Sequence, residues 1–158
     1  MMTVLTLLTG VVAGVVALMV VLYFVAPGMM LSERKSPFSL EKTVSTIEKA
    51  AIDQGWVVSS IAELDQSVKK HGGPDVRPVR LINLCQAQHS GKILLDDTAR
   101  FVSVLMPCTI SVYEKSDDSV WVGSMNPGLM GRVFGGVISE VMAGPVAKQQ
   151  AKILSSVR

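Results

Sequence analysis

Charge is missing from the start of this chain, because no Asp, Glu, Lys or Arg precedes Glu33. As a helix, residues 3–26 would span about 36 Å, more than the roughly 30 Å of a hydrocarbon core. A secretory signal peptide is excluded, because its basic start and small-residue cleavage site are both lacking. The sequence therefore predicts a transmembrane helix over residues 1–31, ended by Pro27-Gly28, in a single-pass protein of the bacterial inner (plasma) membrane. Arg34 and Lys35 follow this segment, but two basic residues beside Glu33 do not decide on which side of the membrane the soluble domain would lie.

One face of the predicted helix is lined by small residues. Thr6, Gly10 and Gly14 recur every four positions, and a GxxxG spacing lets two helix backbones approach closely in lipid. The predicted partners of this helix are therefore membrane lipid and a second helix. The second helix would belong to another copy of the chain, in a homo-oligomer, or to a subunit of a membrane complex.

Aromatic residues and net charge are also scarce. Aromatics make up 5% of the chain and the formal net charge is only +2, so neither a base-stacking platform nor a basic nucleic-acid surface is indicated. Two cysteines are too few for a disulfide scaffold. About 120 residues follow the helix, which is the size of one domain.

Turn and capping residues divide the rest of the chain into a linker, 32–37, and one α+β domain, 38–158. Ser39 is a good N-cap, and Gly55 is placed to end the helix that follows. The remaining pattern predicts strands near 56–63, 79–84 and 101–105, a hairpin of 109–113 with 120–124, short helices near 64–71 and 86–95, and helices at 129–142 and 146–157 that are separated by Gly144-Pro145. Asn126 and Pro127 resemble an N-cap and a first helical position. This order favours an antiparallel sheet covered by helices on one face.

Several motifs in the domain resemble the domain of unknown function 302 family. They are Gly55-Trp56 after a helix, Cys85 after a strand, Leu105-Met106-Pro107-Cys108, and Val112-Tyr113-Glu114. The resemblance covers about Ser36 to Arg158. It implies a compact fold similar to the TATA-binding-protein type, a curved antiparallel sheet against helices, and it implies dimers. It implies no reaction. The Asn126 to Met142 segment departs from the usual pattern and looks like that of a membrane-anchored branch.

Cys85 and Cys108 are the first candidates for chemistry. As neighbours at strand ends they could form a disulfide or a redox pair. They could also bind a metal, or be buried structural thiols. His89 and Met106 sharpen the metal interpretation, because two thiolates, an imidazole and a thioether are soft ligands that suit zinc or copper(I). Cys85 and His89 would share one face if both lay on a helix.

A cysteine enzyme is a further alternative, in which Asp96 or Asp97 would orient His89. The mostly apolar stretch Leu129 to Met142 is consistent with core, or with a surface that faces lipid or a partner subunit. The leading hypothesis is therefore an accessory or assembly subunit of a larger membrane complex, without catalysis of its own. The alternative is a thiol-redox or soft-metal handling protein that uses Cys85, Cys108 and His89.

Overall fold

The first helix of the molecule leads straight into its sheet. The structure is a computed structural model that describes residues 2–158; for residues 2–9, 22, 26 and 27 it describes the backbone alone. Helix α1 is Met2–Met30, and strand β1, Leu31–Lys35, follows without a loop. The helix thus does not end at Pro27-Gly28. The predicted linker, 32–37, contains most of an edge strand instead.

The prediction of a transmembrane helix needs correction. Among the described residues, no helix is long and apolar enough to cross a membrane. The transmembrane helix predicted for residues 1–31, and the single-pass inner-membrane location drawn from it, are therefore not supported.

Five antiparallel strands form one sheet in the order β1-β5-β4-β3-β2. The other strands are β2, Val57–Glu63; β3, Val79–Cys85; β4, Cys108–Glu114; and β5, Val120–Met125. The hairpin of β4 and β5 was predicted, because both strands alternate in polarity around a polar turn. An α+β domain with an antiparallel sheet is thereby confirmed.

Helices cover one face of this sheet. They are α2, Leu40–Asp53; α3, Leu64–Lys70; α4, Ala87–Leu94; α5, Pro127–Phe134; α6, Gly136–Ile138; a π-helical segment, Ser139–Val146; and α7, Ala147–Ser155. Ser39 accepts a hydrogen bond from the Lys42 N–H, as an N-cap should, and Gly55 has φ +76° after α2. Asn126 caps α5 in the same way, since its side chain accepts from Leu129. Both caps were predicted.

The core lies between the sheet and the helices α2, α7 and the π-helical segment. Ile47 of α2, Ile82 of β3, Ile110 of β4 and Val141 of the π-helical segment are all at most 2% exposed. Burying such a side chain contributes about 1.5–3 kcal/mol each. The stretch Leu129 to Met142 therefore enters the core only in part, through residues near its end.

One predicted strand is a helix. Residues 101–105 were expected to be extended, but Arg100–Leu105 forms a 3₁₀ segment. It is held by local bonds, since the Val102 N–H donates to the Ala99 carbonyl (3.1 Å) and the Met106 N–H to the Ser103 carbonyl (2.9 Å). The strand prediction was wrong because a short, mostly apolar segment such as Phe101–Leu105 fits either state, and periodicity cannot separate them.

The other face of the sheet is polar. The Asn83 side chain donates to the Ser60 hydroxyl (2.9 Å) and accepts from the Thr109 hydroxyl (2.8 Å), which joins three strands. Towards β1, Tyr113 donates to Glu33, which also pairs with Lys115. The sheet therefore has one face packed against helices and one polar face, as is common when only one face of an antiparallel sheet packs on the core.

Candidate functional site

Cys85 and Cys108 lie at adjacent strand ends, as the sequence predicted. Cys108 opens β4 directly opposite Leu84, and Cys85 is the last residue of β3. Both are free thiols and both are partly buried. The Cys85 sulfur lies 3.7 Å from the Ser90 hydroxyl oxygen. Of the alternatives left open by the sequence, the structure contains two thiols and no disulfide between them.

Cys108 is the thiol with the more unusual environment. Burial, and to a lesser extent the nearby Cys85, raise the pKa of Cys108 to about 11. Both effects disfavour the thiolate, because a charge is costly in an apolar site and beside another negative charge. At neutral pH Cys108 is therefore protonated, which makes it a weak nucleophile.

His89 is tied to the structure by a neighbouring amide. Its Nε2 lies 3.0 Å from Gln149 Oε1, and the Trp56 indole N–H donates to the same oxygen at 2.9 Å. The His89 backbone N–H donates to the Gln86 side chain at the start of α4. Because Cys85 belongs to a strand and His89 to a helix, the expected shared helix face does not exist.

The predicted metal site is not formed. Within the part of the chain that the structure describes, no group of three or more His, Cys, Asp or Glu could hold a metal ion. Of the proposed ligands Cys85, His89, Met106 and Cys108, the last three line one cavity, and His89 Nε2 is hydrogen-bonded to Gln149. Copper or zinc binding at these residues stays a prediction.

The acids proposed to orient His89 are also engaged elsewhere. An Asp96 carboxylate oxygen accepts from the Thr98 hydroxyl (2.7 Å) and from the Thr98 N–H (2.9 Å). Asp97 pairs with Arg100 at 2.8 Å. Neither makes the hydrogen bond that a cysteine–histidine nucleophile needs from its third member.

A small cavity lies beside Cys108. Its walls come from the end of the sheet, from α4, from the 3₁₀ segment and from the π-helical segment. Its apolar lining includes Trp56, Ile93, Val102, Met106, Val141 and Met142. The polar groups at this cavity include the side chains of His89, Gln86 and Ser90, which have partners, and the Cys108 thiol. What it offers a ligand is therefore mainly apolar contact.

An exposed apolar surface lies on the outside of the same segment. Phe101 is 61% exposed, Val104 84% and Val133 72%. The Phe101 ring meets the Phe134 ring edge to face, with centroids 5.8 Å apart. We call these four residues the Phe101–Phe134 surface. The sequence placed Val133 and Phe134 in an apolar stretch. It did not indicate that Phe101 and Val104 share a side, because residues three apart point to opposite faces of the predicted strand.

The predicted helix-packing face of α1 remains a prediction. At Gly10 and Gly14 an added Cβ would meet nothing within 4 Å, so this face is open to a partner. Thr6 lies among the positions whose side chains the structure does not describe.

Comparison with known proteins agrees with the fold. The family model described as "Domain of unknown function DUF302" matches residues 32–157. The crystal structure of an uncharacterized conserved protein DUF302 from Bacillus stearothermophilus is similar, with a TM-score of 0.71 over 82% of this chain and 99% of that chain. At 18% identity this likeness shows the fold alone.

None of the curated proteins matches the chain. The match also gives no support to the membrane-anchored branch that was predicted within the family. Because the family model covers most of the sequence, however, the chain belongs to the DUF302 domain family, as the motifs around Cys85 and Cys108 predicted.

Proposed function

We propose that this protein is a non-catalytic accessory subunit that assembles into a larger protein complex through the Phe101–Phe134 surface. The observation that carries the proposal is that the 3₁₀ segment is apolar on both sides. Val102 (1% exposed) faces inward, while Phe101 and Val104 face outward. Apolar side chains that stay clustered and exposed commonly mark interaction sites, so the side that carries Phe101 and Val104 is expected to be covered by another protein.

The geometry of the surface supports this role. In a 3₁₀-helix, residues three apart lie on the same side, so Phe101 and Val104 form one continuous apolar strip. The edge-to-face contact with Phe134 adds α5 to that strip. Aromatic side chains at the centre of a patch are typical of protein interfaces, and clustered exposed apolar groups mark interaction sites more often than scattered ones.

The occupant we propose is a second protein subunit. Arg100, next to Phe101, pairs with Asp97, while Arg132, next to Val133, is an exposed charge at the edge of the surface. The four side chains of the surface are themselves uncharged, which suits a mainly apolar protein surface. Helix α1 adds a further apolar face around Gly10 and Gly14, which is consistent with assembly.

Site-specific photocrosslinking tests this function. A benzophenone amino acid replaces Val104 in the full chain, and the matched control replaces Ile52 of α2, which is 57% exposed and lies on another helix. We expect one discrete crosslinked subunit, a different protein or a second copy, from position 104 and not from position 52. If both positions give the same diffuse products, or neither gives a product, the accessory-subunit function is wrong.

Thiol-redox chemistry at Cys85 and Cys108 is the alternative. The nearby Cys85 is one cause of the raised pKa of Cys108, which agrees with two neighbouring thiols. The raised pKa of Cys108 argues against it, because disulfide exchange needs an attacking thiolate. Alkylation of the native protein at neutral pH distinguishes the two: rapid modification of Cys108 would favour the redox role, whereas slow modification agrees with the accessory subunit.

A further inference from the structure

We infer that the cavity beside Cys108 binds a small neutral molecule, which has a short apolar tail and a polar end that both donates and accepts a hydrogen bond. This site goes beyond the proposed function and does not depend on a partner at the Phe101–Phe134 surface. Two side-chain atoms at the cavity, His89 Nδ1 and Gln86 Nε2, define the polar end, and the cavity volume defines the tail.

Trp56 determines which nitrogen of His89 carries the hydrogen. An indole N–H can only donate, so the Gln149 atom that lies 2.9 Å from it is the carbonyl oxygen, Oε1. His89 Nε2 lies 3.0 Å from the same oxygen. Because two acceptors would repel each other at this distance, Nε2 carries the hydrogen. In a neutral imidazole the other nitrogen is then an acceptor, so His89 Nδ1 is free to accept.

Gln86 supplies the matching donor. Its Oε1 accepts from the His89 backbone N–H at 2.9 Å, which fixes the orientation of the amide and leaves Nε2 as a donor. In the part of the chain that the structure describes, neither His89 Nδ1 nor Gln86 Nε2 has a hydrogen-bond partner, and no buried side-chain N or O atom lacks one. Both atoms are therefore accessible to solvent, and both side chains line the cavity.

The cavity has a partly exposed rim and a closed floor. Gln86 and His89 of the rim are partly buried and Pro107 is exposed. On the floor, Ile93 and Val102 are at most 2% exposed. A ligand can therefore keep its polar end at the rim, beside the free donor and acceptor, and place its tail on the apolar floor.

The size and the charge of the cavity limit the ligand. Its volume is about 30 Å³, and one water needs roughly 10–15 Å³ on this scale, so about two or three non-hydrogen atoms fill it. No Asp, Glu, Lys or Arg lines it, so a charged group would lose its water without gaining a counter-charge. Apolar walls with a few placed polar groups are typical of small-molecule sites.

Three probes of nearly the same shape test the polar end. Propionamide, butanone and propionate each carry an ethyl group on a carbonyl carbon, but only propionamide both donates and accepts. Methyl NMR of the full chain follows each titration. We expect propionamide to cause saturable shifts at the Met106 and Met142 methyls, which line the cavity, and none at Met125 or Met130, which do not.

Butanone should bind about five- to tenfold more weakly, because it cannot donate to His89 Nδ1. Propionate should bind more weakly still, because its charge would be desolvated. Equal binding of propionamide and butanone would show apolar contact alone and overturn the inference, as would the lack of any saturable shift at Met106 and Met142.

Gln86→Glu removes the donor at the rim and keeps the shape of the side chain. Its carboxylate can still accept from the His89 N–H at the start of α4 but has no hydrogen to donate. We expect propionamide to bind this variant at least about fivefold more weakly. Gln88→Glu makes the same charge change at an exposed position of α4 that does not line the cavity, and it should bind as the unchanged chain does.

Unchanged binding by a folded Gln86→Glu, or equal weakening in both variants, would contradict the site. If Gln86→Glu does not fold, the three probes decide on the unchanged chain. Long-range ¹H–¹⁵N NMR also reads the His89 tautomer directly. We expect the hydrogen on Nε2 and a shift of the Nδ1 signal when propionamide binds; a hydrogen on Nδ1 would remove the acceptor and overturn the inference. The accessory-subunit proposal is tested separately by crosslinking at position 104.

Discussion

The Phe101 and Phe134 rings meet edge to face, with centroids 5.8 Å apart and ring planes at 71°. This contact joins the 3₁₀ segment to the end of α5, two elements about thirty residues apart in sequence. Edge-to-face pairs gain about 0.5–1.5 kcal/mol beyond the area they bury. Both rings are partly exposed, so the contact orders an outer surface and not the core.

Removing one ring should therefore cost little stability. We expect Phe101→Ala to lower the free energy of unfolding by about 0.5–1.5 kcal/mol, because the ring contact is lost. Val133→Ala, on the same surface and without an aromatic partner, should change it by less than about 0.5 kcal/mol. Urea unfolding measures both. Equal effects of the two substitutions would show that the ring contact does not contribute.

The raised pKa of Cys108 predicts a pH dependence of stability. The folded pKa is about 11 and the ordinary value is 9.0, so the folded state holds the thiol proton more tightly than the unfolded state does. This contribution is fully present below pH 9 and is lost as the pH rises from 9 through 11. Its full size is about 2–3 kcal/mol, from two pKa units.

The measurement compares the unchanged chain with Cys108→Ala between pH 8 and about pH 11. The difference between the two unfolding curves isolates Cys108 from Tyr113, whose pKa is raised to about 12 mainly by burial and by its bond to Glu33. We expect the stability of the unchanged chain to fall more steeply above pH 9. Parallel curves would mean that the Cys108 thiol titrates normally.

Close packing at Gly131 predicts a strong effect of one methyl group. A Cβ at this position would lie 2.8 Å from the Ala143 backbone nitrogen and 3.0 Å from the Met142 Cβ. Gly131→Ala should force α5 away from the π-helical segment and cost about 1–3 kcal/mol. Thermal or urea unfolding detects the change.

Gly91→Ala is the matched control for Gly131→Ala. Gly91 lies within α4 and a Cβ there would meet nothing within 4 Å. Because alanine favours a helix, we expect this variant to be more stable by about 0.5–1 kcal/mol. If both alanines stabilise the protein, the tight approach at Gly131 is not real.

Gln149 should matter more than its partly exposed position suggests. Its Oε1 accepts from the Trp56 indole at 2.9 Å and lies 3.0 Å from His89 Nε2. Gln149→Leu leaves the indole N–H of the buried Trp56 without an acceptor, which should cost about 1–3 kcal/mol. Lys148→Leu, at the exposed neighbouring position, should be nearly neutral. Unfolding followed by tryptophan fluorescence compares them, and equal stabilities would contradict this role.

Local signals allowed much of the fold to be predicted. The helix that begins after Ser39, the hairpin of β4 and β5 and the cap at Asn126 each depend on neighbouring residues, so a window of sequence contains their cause. The bend at Gly144, where ψ is −106° inside a helical segment, was likewise expected from Gly144-Pro145. For the same reason the family motifs around Cys85 and Cys108 could be recognised.

The α+β class, the β4–β5 hairpin and the helix caps follow from the sequence alone, because they depend on short-range periodicity and turn chemistry. The 3₁₀ form of residues 100–105 with its exposed outer side, and the hydrogen bond between His89 and Gln149, are seen only in the folded chain. These outcomes depend on which distant elements meet. The contact between Phe101 and Phe134 exists only because α5 and the 3₁₀ segment come together in space.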